Sequence, residues 1–180
     1  TWSKNMDLKK YIRSIPDYPK RGILFRDITT LIKNEKAFSY CIDLIVKKSK
    51  NFSFNKIAAI ESRGFVFASA VSYILKKPFI MLRKKNKLPA EVHSVDFELE
   101  YGTATIEVHK DSILKDESVL IIDDLIATGG TAEAAVKLVE MCEAKVAAFV
   151  FVINLFDLGG SDNLIKKNYK VENLIDFPGH

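Results

Sequence analysis

The sequence predicts an α/β chain built on a mostly parallel, twisted sheet with helices on both faces. Short apolar runs alternate with segments of helical period, the pattern of strands joined by crossover helices. The runs at 119–122 and 146–153 are apolar throughout, as strands buried on both faces must be. A length of 180 residues fits one domain.

Taken in order, Leu8, Tyr11, Ile12 and Ile15 recur at helical spacing, and Pro16 ends that short helix. Residues 16–30 are rich in turn formers, with Pro19 and Gly22. Phe38, Cys41, Ile42 and Ile45 mark one face of a longer helix. A strand at 56–60, an apolar helix at 64–75 and a strand at 78–82 follow. Residues 83–102 carry many charges and no sustained period, and are too long for an idle loop in a compact domain. They are expected to form a mobile lid, with a merely solvated loop as the competing account. The alternation at 103–108 suits a strand with one wetter face. Beyond the run at 119–122, Ala135, Leu138, Val139 and Cys142 define a helix that leads to the strand at 146–153.

The chain is 48% hydrophobic and 28% charged, with a net charge of +4. That excess suits a polyphosphate as well as it suits nucleic acid or an acidic membrane surface. Much of it is ordinary lysine on helix faces, such as Lys47, Lys48 and Lys166. The two cysteines, Cys41 and Cys142, fall in apolar helical stripes, so a disulfide framework and a cysteine metal site are not expected. No apolar run approaches the roughly 18 residues of a membrane span. The polar start lacks a signal-peptide core. A cytoplasmic, soluble chain is the expectation. His93, His109 and His180 lack metal-ligand spacing and are expected at the surface.

The most informative segment is Asp123-Asp124-Leu125-Ile126-Ala127-Thr128-Gly129-Gly130-Thr131, at the end of an apolar strand and the start of a helix. Two glycines let backbone amides converge on an anion, and the helix N-terminus adds partial positive charge. Thr128 and Thr131 add hydroxyl donors, and Thr131 is a candidate N-cap. Two adjacent carboxylates would repel a phosphate unless something lies between, and ribose hydroxyls donate to carboxylates. A phosphorylated pentose satisfies both halves. The Gly-Lys-Ser/Thr of a nucleotide-triphosphate loop and the Gly-x-Gly-x-x-Gly of dinucleotide sites are both missing.

This segment resembles the phosphoribosyl pyrophosphate (PRPP) signature of the type I phosphoribosyltransferases. Three more segments resemble the adenine-specific branch: P-K-R-G-I-L-F-R-D-I at 19–28, E-S-R-G-F at 61–65 and L-E-Y-G at 99–102. R-K-K-N-K-L-P at 83–89 supports them, and together they cover nearly the whole chain. The resemblance implies one phosphoribosyltransferase domain over 1–180, with a hood over the base at 1–30, a lid at 83–102 and the PRPP strand and turn at 119–131. It implies the reaction of adenine with PRPP to give AMP and pyrophosphate, with Mg²⁺ held mainly by substrate, in a cytoplasmic homodimer. No nucleic-acid or membrane partner is implied.

The resemblance also implies roles. Asp123 and Asp124 hold the ribose hydroxyls, and Ala127, Thr128, Gly129, Gly130 and Thr131 cradle the 5′-phosphate. Ser62, Arg63, Arg83 and Lys87 hold pyrophosphate, with a cis bond expected at Ser62–Arg63 in some members. Arginine suits a bidentate grip on diphosphate; the competing account pairs Arg63 with Glu61. Phe25 stacks on adenine, Leu24 and Arg26 read its edge through backbone groups, and Glu100 is the catalytic acid of the lid. Asn86 replaces the family's usual glycine, and Asp96 and Phe97 its serine and tyrosine. Asparagine tolerates a left-handed backbone, so the turn is expected to survive. Two competing functions are a PRPP-sensing regulator without catalysis, and an enzyme acting on hypoxanthine, guanine or xanthine.

Overall fold

A computed structural model describes residues 5–99 and 102–180. A 3₁₀ turn at Leu8–Tyr11 opens it, followed by strands β1 (Arg13–Pro16) and β2 (Leu24–Asp27). Helices α1 (Thr29–Ile32) and α2 (Glu35–Ser49) lead into β3 (Lys56–Ile60), α3 (Arg63–Leu75) and β4 (Phe79–Lys84). Then come β5 (Val92–Leu99), β6 (Gly102–His109), β7 (Ser118–Ile126) and α4 (Gly130–Met141). Strand β8 (Lys145–Leu155), α5 (Gly160–Lys166) and β9 (Val171–Phe177) complete the order.

The main sheet has seven strands in the order β5-β6-β4-β3-β7-β8-β9. From β4 to β9 every pairing is parallel, while β6 runs antiparallel to both β4 and β5. Successive residues of β7 feed opposite cores. Leu120 and Ile122 pack with α2 and α3, whereas Val119 and Ile121 pack with α4. All four are fully buried, each contributing roughly 1.5–3 kcal/mol of transfer free energy. Helix α2 is capped by Asn34, which accepts from the Ala37 amide at 3.0 Å. Glu35 in its first turn and Lys47 and Lys48 in its last complement the helix dipole.

The expected strands and long helices are all present, and five differences stand out. The first helix shrinks to a 3₁₀ turn, because Ile15 pairs with Phe25 in the β1–β2 hairpin; an edge strand tolerates Pro16. Residues 83–102 are not one irregular lid. Residues 92–99 of them form β5, whose Val95 and Phe97 pack on the α4 side at period two, a signal obscured by Asp96 and Glu98 flanking Phe97. Strand β7 extends through the two acids to Ile126. Helix α5 and edge strand β9 are additional; polar Glu172, Asn173 and Asp176 interrupt β9's apolar run, as a sheet edge allows. His93 and His109 are half-buried in the β5–β6 hairpin rather than on the surface. Cys41 and Cys142 are buried free thiols. Among the described residues no helix is long and apolar enough to cross a membrane.

Candidate active site

Strand order reverses between β3 and β7. From β3 the chain crosses through α3 to β4 on one side, and from β7 through α4 to β8 on the other, the two helices covering opposite faces. Such a switch point opens a crevice beyond the carboxyl ends of the strands. A cavity of ≈ 720 Å³ lies there. Its walls include Glu61, Ser62 and Arg63 after β3, residues 123–132 from the end of β7 into the start of α4, Phe97, Glu98 and Leu99 of β5, and Leu158.

The two acids form part of its lining. Asp124, 8% exposed, accepts from Arg63 Nε at 2.6 Å. Asp123 Oδ1 accepts from the Asp124 amide at 2.9 Å. The same oxygen would lie 2.8 Å from a Cβ at Gly64, so a side chain there would displace it. Burial, and then the neighbouring Asp124 charge, push the Asp123 carboxyl well above the usual carboxylate range, against the pull of Arg63. Arg63 is therefore committed to Asp124 and not to Glu61. Glu61 instead pairs with Arg83 at 3.6 Å and accepts from the Lys84 amide. A cis peptide is present at Glu61–Ser62, one bond before the expected position.

The turn after β7 is set by two glycines in contact. Gly129 has φ +95°, and a Cβ on it would meet Gly160 Cα at 3.1 Å. A Cβ on Gly160 would lie 2.5 Å from the Ala127 carbonyl oxygen, which accepts from the Gly160 amide at 3.0 Å. No larger residue fits either position without moving the turn. Gly129, not Thr131, is the N-cap of α4, and no side chain caps the helix. Thr131 lies inside the first turn, so the opening amides of α4 remain available to an anion.

The β1–β2 hairpin stands beside this cavity. Asp27 fixes its base, accepting from Arg13 Nε at 2.6 Å, the Thr29 hydroxyl at 2.6 Å and the Thr29 amide at 2.9 Å. The Thr29 hydroxyl is the main reason its carboxyl sits below the usual range, burial opposing it. Phe25 packs edge-on against Tyr18 with ring centroids 5.1 Å apart. The Arg63 guanidinium lies 5.8 Å from the Phe25 ring. Arg26 turns its side chain away: the guanidinium is 4.6 Å from the Phe177 ring and donates to the Pro178 carbonyl at 2.9 Å.

Of the residues expected at the site, Ser62, Arg63, Asp123, Asp124, Ala127, Thr128, Gly129, Gly130 and Thr131 converge on the cavity. Leu24, Phe25 and Arg26 are not in its wall, and Phe25 connects to it through Arg63. Arg83 and Lys87 also lie outside the wall. Glu100 falls outside the described residues. Glu61, Phe97, Leu158 and Gly160 were not anticipated. Phe97 and Leu158 are apolar residues within charged or glycine-rich stretches, and Gly160 becomes legible only once β7 and α5 are seen to touch.

The model of the phosphoribosyl transferase domain matches residues 27–178. The adenine phosphoribosyltransferase of Pelagibacter ubique is 83% identical over 175 residues, 97% of this chain and all of that protein. The crystal structure of adenine phosphoribosyltransferase from Thermoanaerobacter pseudethanolicus superposes with a TM-score of 0.90 at 45% identity, covering 94% of this chain and 98% of that one. The Saccharomyces cerevisiae enzyme, solved with adenine and an imino-altritol bisphosphate, gives 0.86 at 36% identity over 93% of this chain and 96% of its own. With its reversed sheet, paired acids and glycine-locked turn, the chain belongs to the phosphoribosyltransferase family, among the adenine phosphoribosyltransferases of purine salvage.

Proposed function

We propose that the cavity binds PRPP, with the 5′-phosphate in the turn 127–131 and the ribose hydroxyls on Asp123 and Asp124, and that adenine enters from the Phe25 side. One observation carries this: two carboxylates lie side by side behind a turn whose glycines and helix amides suit a phosphate. A sugar between those two groups separates like charges and satisfies both. The yeast relative's complex with both adenine and an imino-altritol bisphosphate supports a site that takes a base and a phosphorylated group together.

Ribose hydroxyls that donate to Asp124 replace the hydrogen bond it accepts from Arg63, leaving that guanidinium to grip the diphosphate beside Ser62. Glu61 presents Arg83 from the next strand, and Lys87 approaches from the loop beyond β4. Adenine stacks against Phe25, and the backbone of Leu24 and Arg26 reads its edge, consistent with an Arg26 side chain that points elsewhere. Its imidazole nitrogen attacks the anomeric carbon as pyrophosphate leaves through an oxocarbenium-like state. Glu100 holds or relays the proton of the base. Residues 83–102 close over the sugar and exclude water.

Mg²⁺ fits this donor set. The substrate's diphosphate and ribose hydroxyls would supply the hard oxygens the ion prefers, with Asp123 and Asp124 holding those hydroxyls, and no group of three or more His, Cys, Asp or Glu among the described residues could hold a metal without substrate. When bound, the ion neutralises charge developing on the leaving diphosphate. The protein acts as a cytoplasmic homodimer. Val66, Tyr73 and Ile74 on α3 and Met81 on β4 are exposed apolar residues, with Tyr73 at 82%, and a second copy would cover such a patch.

The deciding experiment measures pyrophosphate release with Mg²⁺ and PRPP on adding adenine or hypoxanthine at equal concentration. Rapid release with adenine alone is expected. Equal or faster release with hypoxanthine would overturn the base assignment, and no release with either would overturn catalysis.

A further inference from the structure

We infer that Glu107, toward the C-terminal end of β6, is a positioning residue for the basic loop between β4 and β5. The inference rests on the proposal that this loop brings Lys87 to the pyrophosphate end of the substrate.

Glu107 is only 5% exposed, although carboxylates are rarely buried without partners. It accepts from the Asn86 amide at 2.8 Å and from the Ser94 hydroxyl. Asn86 has φ +66°, the left-handed turn of the loop. Arg83 and Ser94 are the residues directly opposite Glu107 on the two neighbouring strands. One carboxylate thus joins the middle strand, the outer strand and the tip of the basic run. Glu61 holds the start of that run through Arg83 and the Lys84 amide. Two glutamates, one in the turn after β3 and one on β6, therefore clamp Arg83-Lys84-Lys85-Asn86-Lys87, one at the root and one at the turn. Lys85 and Lys87 are left exposed at the surface. Nothing in the proposed reaction uses Glu107 directly. An apolar residue would occupy this position at less desolvation cost, but it would leave the Asn86 amide and Ser94 hydroxyl without their acceptor.

The test compares Glu107→Ala, Glu107→Gln, Ser94→Ala and Lys87→Ala. Readouts are KM for PRPP, KM for adenine, and hydrogen exchange at the Asn86 amide. Glu107→Ala is expected to raise the PRPP KM about tenfold, the scale of a misplaced binding group, with adenine KM unchanged and Asn86 exchanging faster. Glu107→Gln keeps an acceptor for Asn86 and offers a donor to Ser94, so near-normal behaviour is expected. Ser94→Ala should raise the PRPP KM by about threefold, the scale of one weakened hydrogen bond, and supplies the answer together with Glu107→Gln if the alanine variant does not fold. The inference is overturned if Lys87→Ala raises the PRPP KM while Glu107→Ala and Ser94→Ala do not. It is overturned equally if both KM values rise together, or if Glu107→Gln behaves like Glu107→Ala. If Lys87→Ala changes nothing, the loop's proposed role fails and the inference falls with it.

Discussion

The turn after β7 and the hairpins around the cavity solve different problems. The turn is prebuilt: two glycine backbones touch, one acid sits close against Gly64 at the start of α3, and the other is buried and already paired with Arg63. The β1–β2 and β5–β6 hairpins are held by side chains toward their bases, by Asp27, Arg26 and Glu107, while Tyr18 beyond β1 and Leu99 at the end of β5 stay exposed. A phosphate has one shape and rewards a rigid cradle. A base and a departing diphosphate must enter and leave, which rewards elements that move as units.

The comparison breaks most sharply at Glu100. Replacing it by leucine is expected to lower kcat by about 10²–10⁴-fold at saturating substrates, the usual range for a general acid–base group; unchanged turnover would remove it from the chemistry. Gly160→Ala tests the rigid side. Its Cβ would drive into the Ala127 carbonyl, so kcat/KM for PRPP should fall about 100-fold with secondary structure intact by circular dichroism. A loss below threefold would mean that the turn is adaptable after all. On the mobile side, Phe25→Ala should raise the adenine KM about tenfold, matching one lost stacking contact, and leave PRPP affinity alone.

Arg26→Met sharpens the distinction further. It keeps the stem but loses the Pro178 hydrogen bond and the Phe177 contact, and a threefold or so rise in adenine KM is expected from one such interaction. If PRPP binding moved as much, the hairpin would not be a separate unit. The smallest effect concerns stability. Asp123 binds its proton more tightly in the folded chain than in the unfolded one. Stability of the free protein therefore erodes as pH rises from the ordinary carboxylate range through the raised value. Asp123→Asn should flatten that slope and raise Tm at neutral pH while weakening PRPP binding; a lower Tm would show that burial is not what perturbs the group.

The sheet and the phosphate turn were legible in the sequence because both are written locally. Buried parallel strands read as continuous apolar runs, and a glycine pair between acids and a helix start carries its own chemistry. What stayed hidden depended on long-range pairing. Ile15 fits a helical stripe until Phe25 lies across from it, and Val95 and Phe97 read as loop until β6 lies alongside. From the sequence Arg63 reads as a partner of diphosphate or of Glu61, and only the parallel pairing of β3 with β7 brings Asp124 beside it. Gly160 is 31 positions from Gly129, too far for any motif to join them.

The perturbed carboxyl at Asp123 also makes ligand capture a protonic event. In the proposed binding mode, sugar hydroxyls that donate to it would favour its ionised form, so that the cleft would shed part of a proton as it fills. Calorimetric heats will then depend on the ionisation enthalpy of the buffer, and affinity for the sugar phosphate will strengthen as the medium becomes more alkaline across that titration.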